Sequence, residues 1–306
     1  MNKGLPLQLL LGSGLALPGC FPPPQQAYFA SPVHGYSDEY HPLPRLTDTA
    51  HTAVYAQAGY FTGNANTLER DNLNAFHGSV TIAHHSGIFQ AWYGGDLNLG
   101  NYNMGHWDTT RDLQFSPPQS SVPFNAEILN SYSGSHFFGA AGFHGGANFV
   151  LPTGSGEWRI IGMEGSFNHE FGKYLDIRQQ LPDTVASIIA RGANYGTLGI
   201  YTELVGSSKN GEFGFRMGLG RALGQPYWNP NVYDYKSAHY ITYRYFNMGA
   251  HYTHGIYTFY GQLNFATKTD GASLGIAFRL NKPRIAPART SHKREVPYKN
   301  EVRPNK

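Results

Sequence analysis

The chain has 306 residues, of which 41% are hydrophobic, 14% aromatic and only 14% charged, with a formal net charge of +3. An ordinary soluble domain carries about 25% charged residues; here 37 Gly, 21 Tyr and 19 Phe take that share. Those residues suit pleated strands and tight turns, and a mean hydropathy of −0.40 speaks against a bundle of membrane helices. No segment after the N-terminal leader approaches the run of about 18 apolar residues that a spanning helix needs, whereas a membrane β-barrel escapes that test because only alternate residues face lipid.

In chain order, residues 1–19 come first. Lys3 is followed by an apolar run from Leu5 to Leu17 and then by Leu17-Pro18-Gly19-Cys20. This is the three-part layout of a secretory signal peptide. A leucine three residues before a cysteine, with glycine directly before it, resembles the lipobox of bacterial lipoproteins, although Pro18 stands where that pattern has a small residue. The resemblance covers the first 20 residues. It implies that Cys20 becomes the lipidated first residue of the mature chain, and two or more acyl chains hold a protein stably at a membrane. Cys20 is the single cysteine, so no intramolecular disulfide is possible.

Residues 20–50 read as a lipidated, Pro-rich linker. Phe21-Pro22-Pro23-Pro24-Gln25-Gln26 is a stiff polyproline spacer, and Pro32, Pro42 and Pro44 keep the rest irregular. The expected role is a tether between lipid and a folded body.

From residue 51 to 280 the pattern alternates with period two, the mark of strands with two unlike faces. Ten strands are predicted, near 52–62, 73–84, 87–98, 136–150, 157–171, 195–205, 212–222, 239–252, 255–267 and 272–280, with eight to twelve as the range. Most have nine or more residues, the length a tilted membrane strand needs and longer than the usual soluble strand of five or six. The gaps alternate too. They are short around Ser86, at 151–156, at 206–211 and around Thr253-His254, and mostly long after odd strands (63–72, 99–135, 172–194, 223–238). Outer-membrane barrels have short periplasmic turns and long outer loops. The body resembles that class over 51–280, which implies an all-β, antiparallel, up-and-down transmembrane barrel in the bacterial outer membrane, with both barrel termini periplasmic.

One face of each strand carries Phe, Leu, Ile and Met, as in Phe213, Phe215, Met217 and Leu219. The other face carries charge. An Arg or Lys facing lipid near the midplane costs about 2–4 kcal/mol, so Glu164, Glu203, Arg216, Arg244 and Arg279 are expected to line the lumen and pair there. About ten strands enclose little space, and wide pores begin at about sixteen. The lumen should therefore be largely filled by side chains. Trp92, Trp158, Tyr201, Tyr240, Tyr243 and Tyr257 are candidates for interfacial girdles.

Residues 281–306 form a basic tail, with eight Lys or Arg against Glu295 and Glu301. Its four prolines and few apolar residues predict disorder. It is a solvated tail or an arm for an anionic periplasmic partner; it has too few aromatics for nucleic acid.

Fourteen histidines invite a metal reading, but His84 and His85 point to opposite strand faces, His251 and His254 flank a turn, and no HxxxH on a helix is present. No metal and no cofactor are expected. His106, Asp108, Asp112 and Ser116 in the 99–135 loop, with Glu170 and Asp176 near the next, could serve a loop-based hydrolase, although their spacing is not diagnostic. The leading expectation is a structural or surface-binding role. Loops 99–135 and 172–194 would contact envelope proteins, glycans or lipopolysaccharide through Tyr102, Trp107, Phe115, Phe124, Tyr132 and Tyr174, with outer-membrane lipid around the barrel. The alternatives are a narrow solute channel and a lipid-anchored soluble β-sheet binding protein; an enzyme is the weakest reading.

Overall fold

The computed structural model describes residues 28–29, 31–32, 40–45, 51–65, 71–106, 126–182, 188–223, 244–266 and 269–281. Residues 1–27, over which a signal peptide and Cys20 were predicted, residues 107–125 and 224–243, and the tail beyond Asn281 lie outside them. Ten long strands close into one antiparallel barrel. They are β2 (Thr52–Ala65), β3 (Asp71–Ser86), β4 (Phe89–Met104), β5 (Gly134–Thr153), β6 (Gly156–Phe171), β8 (Asn194–Ser208), β9 (Gly211–Leu223), β10 (Arg244–His254), β11 (Tyr257–Ala266) and β12 (Thr269–Arg279). Each pairs with its chain neighbours, and the pairing of β12 with β2 closes the ring. Two short strands, β1 (Tyr28–Phe29) and β7 (Ile188–Ile189), pair in parallel apart from the barrel. Helices α1 (Ala126–Asn130) and α2 (Lys173–Gln180) lie in the two longest described loops. No helix among the described residues is long and apolar enough to cross a membrane.

All ten predicted strands are present, and the loop rhythm holds. At one end β3–β4 and β10–β11 turn through Gly87-Ile88 and Gly255-Ile256, with φ of 62° and 63° at the glycines. That left-handed backbone is the one a two-residue hairpin needs, and glycine adopts it without strain. The β5–β6 and β8–β9 turns share this end, as do the start of β2 and the end of β12. Asn281, assigned above to the tail, belongs to the barrel. It accepts from the Val54 N–H at 3.0 Å and donates to the Thr52 carbonyl at 2.9 Å, tying the C-terminal end to β2.

The faces sort as the alternation predicts. Phe76, Phe143 and Leu274 point outward with 69%, 73% and 72% of their surface exposed. Ile161, Met163, Phe167, Phe213, Phe259 and Leu263 continue the same apolar belt. No second sheet covers it among the described residues. A belt of this kind is stable only against hydrocarbon, and a closed ring is the sheet that leaves no edge unpaired there. The soluble β-sheet alternative is therefore set aside. Two girdle candidates are corrected: Trp92 and Tyr201 share the inward parity of their strands and are 3% and 5% exposed in the lumen. Trp158 and Tyr257 do face outward near the turn end, and Tyr240 and Tyr243 lie outside the described residues.

The belt sets a test. Phe143 sits halfway along β5, opposite Gly95 and Phe167. Phe143→Arg is expected to destabilise the folded barrel by about 2–4 kcal/mol, the midplane cost of arginine on a lipid face, read from urea titrations in lipid vesicles against a Phe143→Leu control.

Candidate functional site: a chain segment threaded through the lumen

The lumen holds a piece of the chain's own N-terminal segment. Tyr40, His41, Pro42, Leu43 and Pro44 are buried inside the barrel, so the tether expected over 20–50 does not describe these residues. The wall binds their backbone and side chains directly. The Tyr40 N–H donates to Gln262 Oε1 at 2.6 Å, and Gln57 Nε2 donates to the Tyr40 carbonyl at 3.0 Å. Arg159 Nη2 donates to the Leu43 carbonyl at 2.6 Å, and the Arg45 N–H donates to Glu212 Oε2 at 3.0 Å. Prolines suit the passage, because Pro42 and Pro44 carry no N–H that a lumen wall would have to satisfy. Tyr28–Phe29 pairs with β7 in the 172–193 loop, while Arg45 reaches Glu212 beside the β8–β9 turn. Tyr28–Phe29 thus lies at the long-loop end of the barrel, and Arg45 at the short-turn end.

Its anchor is an ion network. Arg159 is 0% exposed; it bonds Glu203 Oε2 at 2.5 Å and Glu157 Oε1 at 2.6 Å. The other Glu203 oxygen accepts from the Tyr40 hydroxyl at 2.5 Å. That hydroxyl also meets His251 Nδ1, so it donates to the carboxylate and accepts from the imidazole. Arg216 pairs with Glu164 and lies 3.8 Å over the Tyr201 ring centroid. The wall is thinned to admit these groups: a Cβ at Gly214 would collide with the His251 ring.

A second closure caps the long-loop end. Phe29, Phe61, Leu73, Tyr102, Leu129, Phe138, Tyr174, Ile177, Leu181 and Tyr195 form one buried apolar cluster. Tyr174 of α2 stacks on Tyr102 at 3.9 Å, and Arg178 pairs with Glu170 at 2.5 Å with both side chains 0% exposed. Burial raises the Tyr174 hydroxyl above the usual phenol range, so it stays neutral. The 99–135 and 172–194 loops were expected to present Tyr102 and Tyr174 outward; both instead point into the mouth. Tyr132 packs partly buried against the same cluster.

Of the five predicted lumen charges, the structure brings together Glu164, Glu203 and Arg216. Arg244 does not join them: Tyr245 takes the inward position, so Arg244 at the strand start faces out and is exposed. Arg279 faces in at the turn end, within 3.4 Å of Asn281 Oδ1, away from the cluster. Arg159 was missed because of a β-bulge. Between Arg159 and Gly162 the β6 register slips against β8, so Arg159 points inward although it shares odd numbering with the outward Ile161 and Met163. Of the hydrolase candidates, His106 is exposed at the end of β4 and lies 3.4 Å from Asn130 Nδ2. Asp108, Asp112 and Ser116 lie outside the described residues, and Glu170 is committed to Arg178.

Removing one partner of a buried ion network costs about 3–5 kcal/mol, because the others are left buried and uncompensated. Arg159→Met is expected to lose that much stability, read from urea unfolding in vesicles. Adding Glu157→Gln and Glu203→Gln to it should recover a large part of the loss.

No family model matches the sequence, and no curated protein matches it. Among solved structures, the chain is similar to Neisserial surface protein A (NspA) at 11% identity, covering 75% of this chain and 96% of that one with a TM-score of 0.29. The translocator domain of the autotransporter NalP from Neisseria meningitidis matches at 12% identity, over 74% of this chain and 88% of that one, with a TM-score of 0.32. LpxR from Salmonella typhimurium matches at 9% identity, over 74% and 99%, with a TM-score of 0.34. At these scores the likenesses carry no argument about role, and the fold rests on the strand pairing described above.

Proposed function

We propose that this protein is a closed, self-plugged barrel of the bacterial outer membrane, with a structural or binding role at the envelope, and not an open pore. The observation that carries this reading is the Tyr40–Arg45 segment bonded across the lumen by Gln57, Arg159, Glu203, Glu212 and Gln262. A barrel of about ten strands has little spare cross-section, and here its axis is occupied. The apolar cap at the long-loop end closes it a second time. Partner contact then falls to the outer rim of the long-loop end.

The threading bears on the lipobox-like Cys20. Tyr28 sits at the long-loop end, so a lipid on Cys20, eight residues upstream, belongs on that same face, the cell surface, rather than in the periplasm. Lys and Arg after Leu280 follow a barrel end at the short-turn side, in reach of anionic periplasmic groups.

Two measurements test this. In a planar bilayer the full chain should show no steady conductance, whereas a variant lacking residues 28–45 and carrying Tyr174→Ala and Ile177→Ala to open the apolar cap, checked for heat-modifiable mobility in SDS gels, should conduct. Steady conductance from the full chain would overturn the closed-barrel reading. For sidedness, an epitope inserted after Gln26 should be stained by antibody on intact cells; staining confined to lysed cells would place the N-terminal end in the periplasm and defeat the surface reading.

A further inference from the structure

The lumen gathers a second polar group that the ion network does not use. His41 of the threaded segment, His77 of β3 and Asp96 of β4 converge from three parts of the chain, with one donor atom of each lying within 4.8 Å of the others. His77 Nε2 stands 3.6 Å from Asp96 Oδ1, and His41 Nε2 stands 3.9 Å from the same oxygen. The three side chains are 2%, 5% and 6% exposed, in the order His77, His41, Asp96.

The surrounding hydrogen bonds fix what each atom offers. His77 Nδ1 lies 2.8 Å from Asn98 Oδ1. A carbonyl oxygen only accepts, so Nδ1 carries a proton, and in the neutral ring Nε2 turns its lone pair toward Asp96. Asp96 Oδ2 accepts from His144 Nδ1 at 2.6 Å, and His144 Nε2 takes the Thr81 hydroxyl at 2.9 Å. That chain holds the carboxylate in one orientation and leaves Asp96 Oδ1 with no hydrogen-bond partner. His144 in turn stacks on His41 at 3.8 Å with 18° between the planes, and it fits because a Cβ at Gly94 would collide with it. A buried carboxylate oxygen facing a neutral imidazole lone pair is repulsive, and a proton or a bound cation between them relieves it.

We propose that His41, His77 and Asp96 bind one divalent transition-metal ion of the zinc class, which fastens the threaded segment to the barrel wall. Imidazole nitrogen and carboxylate oxygen lie roughly 2.0–2.2 Å from zinc in a tetrahedral set, which puts ligand atoms a little over 3 Å apart. The separations of 3.6 and 3.9 Å to Asp96, and of no more than 4.8 Å among all three donor atoms, close to that when the side chains draw in around the ion. His144 on Asp96 and Asn98 on His77 are the outer partners that such ligands require to hold their orientation. Three protein ligands leave a fourth position for water. The site rests on the same threaded segment as the closed-barrel reading, because His41 is the ligand that segment contributes.

The test uses the full chain, folded in detergent, stripped with a chelator and titrated with Co2+ as a spectroscopic stand-in for zinc. One equivalent should develop the visible absorption of four-coordinate cobalt and be displaced by Zn2+. His41→Gln, His77→Gln and Asp96→Asn should abolish the signal, and His144→Gln should weaken affinity about 10–100-fold, as outer-partner losses do. His84→Gln, at an exposed strand position, should leave it unchanged. Heat-modifiable mobility establishes that each variant is folded, and His77→Gln and Asp96→Asn are both made so that one folding failure still leaves a reading. Absence of saturable cobalt uptake by the wild-type barrel, or uptake that survives the folded variants, would overturn the site. A barrel closed to ions that takes up no metal fails this inference alone; one that binds metal yet conducts fails the closed-barrel reading alone.

Discussion

Hydrocarbon offers no partner to a backbone amide, and everything else in this protein follows from satisfying that constraint. A sheet in lipid must close so that every N–H and C=O finds a neighbouring strand. The β12–β2 pairing performs that closure between the two ends of the barrel sequence, and Asn281 extends it by two further bonds to β2. Closure in turn fixes an interior of set width. Ten strands lie between the eight that side chains alone can fill and the sixteen or so that leave an aqueous channel. Such an interior is too wide to be left to the wall and too narrow to be a general pore.

The chain fills that interior in two chemically distinct ways. At the long-loop end the filling is apolar: α2 and α1 bring Tyr174, Ile177 and Leu129 onto Phe61, Leu73, Tyr102 and Phe138. Deeper in, the wall is polar and charged, and an apolar plug would strand those groups. The threaded segment answers with backbone carbonyls at Tyr40 and Leu43 and a phenol at Tyr40. Each finds a wall group of opposite hydrogen-bonding character. The ion network around Arg159 and Glu203 is therefore specific to this segment; a solvated lumen would not require the Tyr40–Glu203 or Arg159–Leu43 bonds.

Glycines make the filling possible. On a strand wall each inward side chain occupies the space of the residue opposite. Gly214 faces His251 and Gly94 lies beside His144, so the bulk delivered by one strand is removed from another. The high glycine content serves the packing of the interior as much as the turns.

Strand number, strand order, the lipid-facing belt and the short-turn end were legible in the sequence. Alternation with period two is set by local backbone geometry, so Phe213, Phe215, Met217 and Leu219 declare their face without knowledge of their neighbours. The same rule identified Glu164, Glu203 and Arg216 as inward. It failed where parity was interrupted, at the bulge that turns Arg159 in; Arg244 was expected inward for its charge, although it shares the outward parity of Met248 and Tyr252 in β10. The lumen occupant was not legible at all. Residues 40–45 carry no periodicity, and their prolines read equally as a tether in water or a strand-free passage through a barrel. Nothing in the spacing of His41, His77 and Asp96 joins them, because they meet only through barrel curvature and the path of the threaded segment. What is local in the chain the sequence determined; what depends on which distant groups share the enclosed volume only the tertiary structure decided.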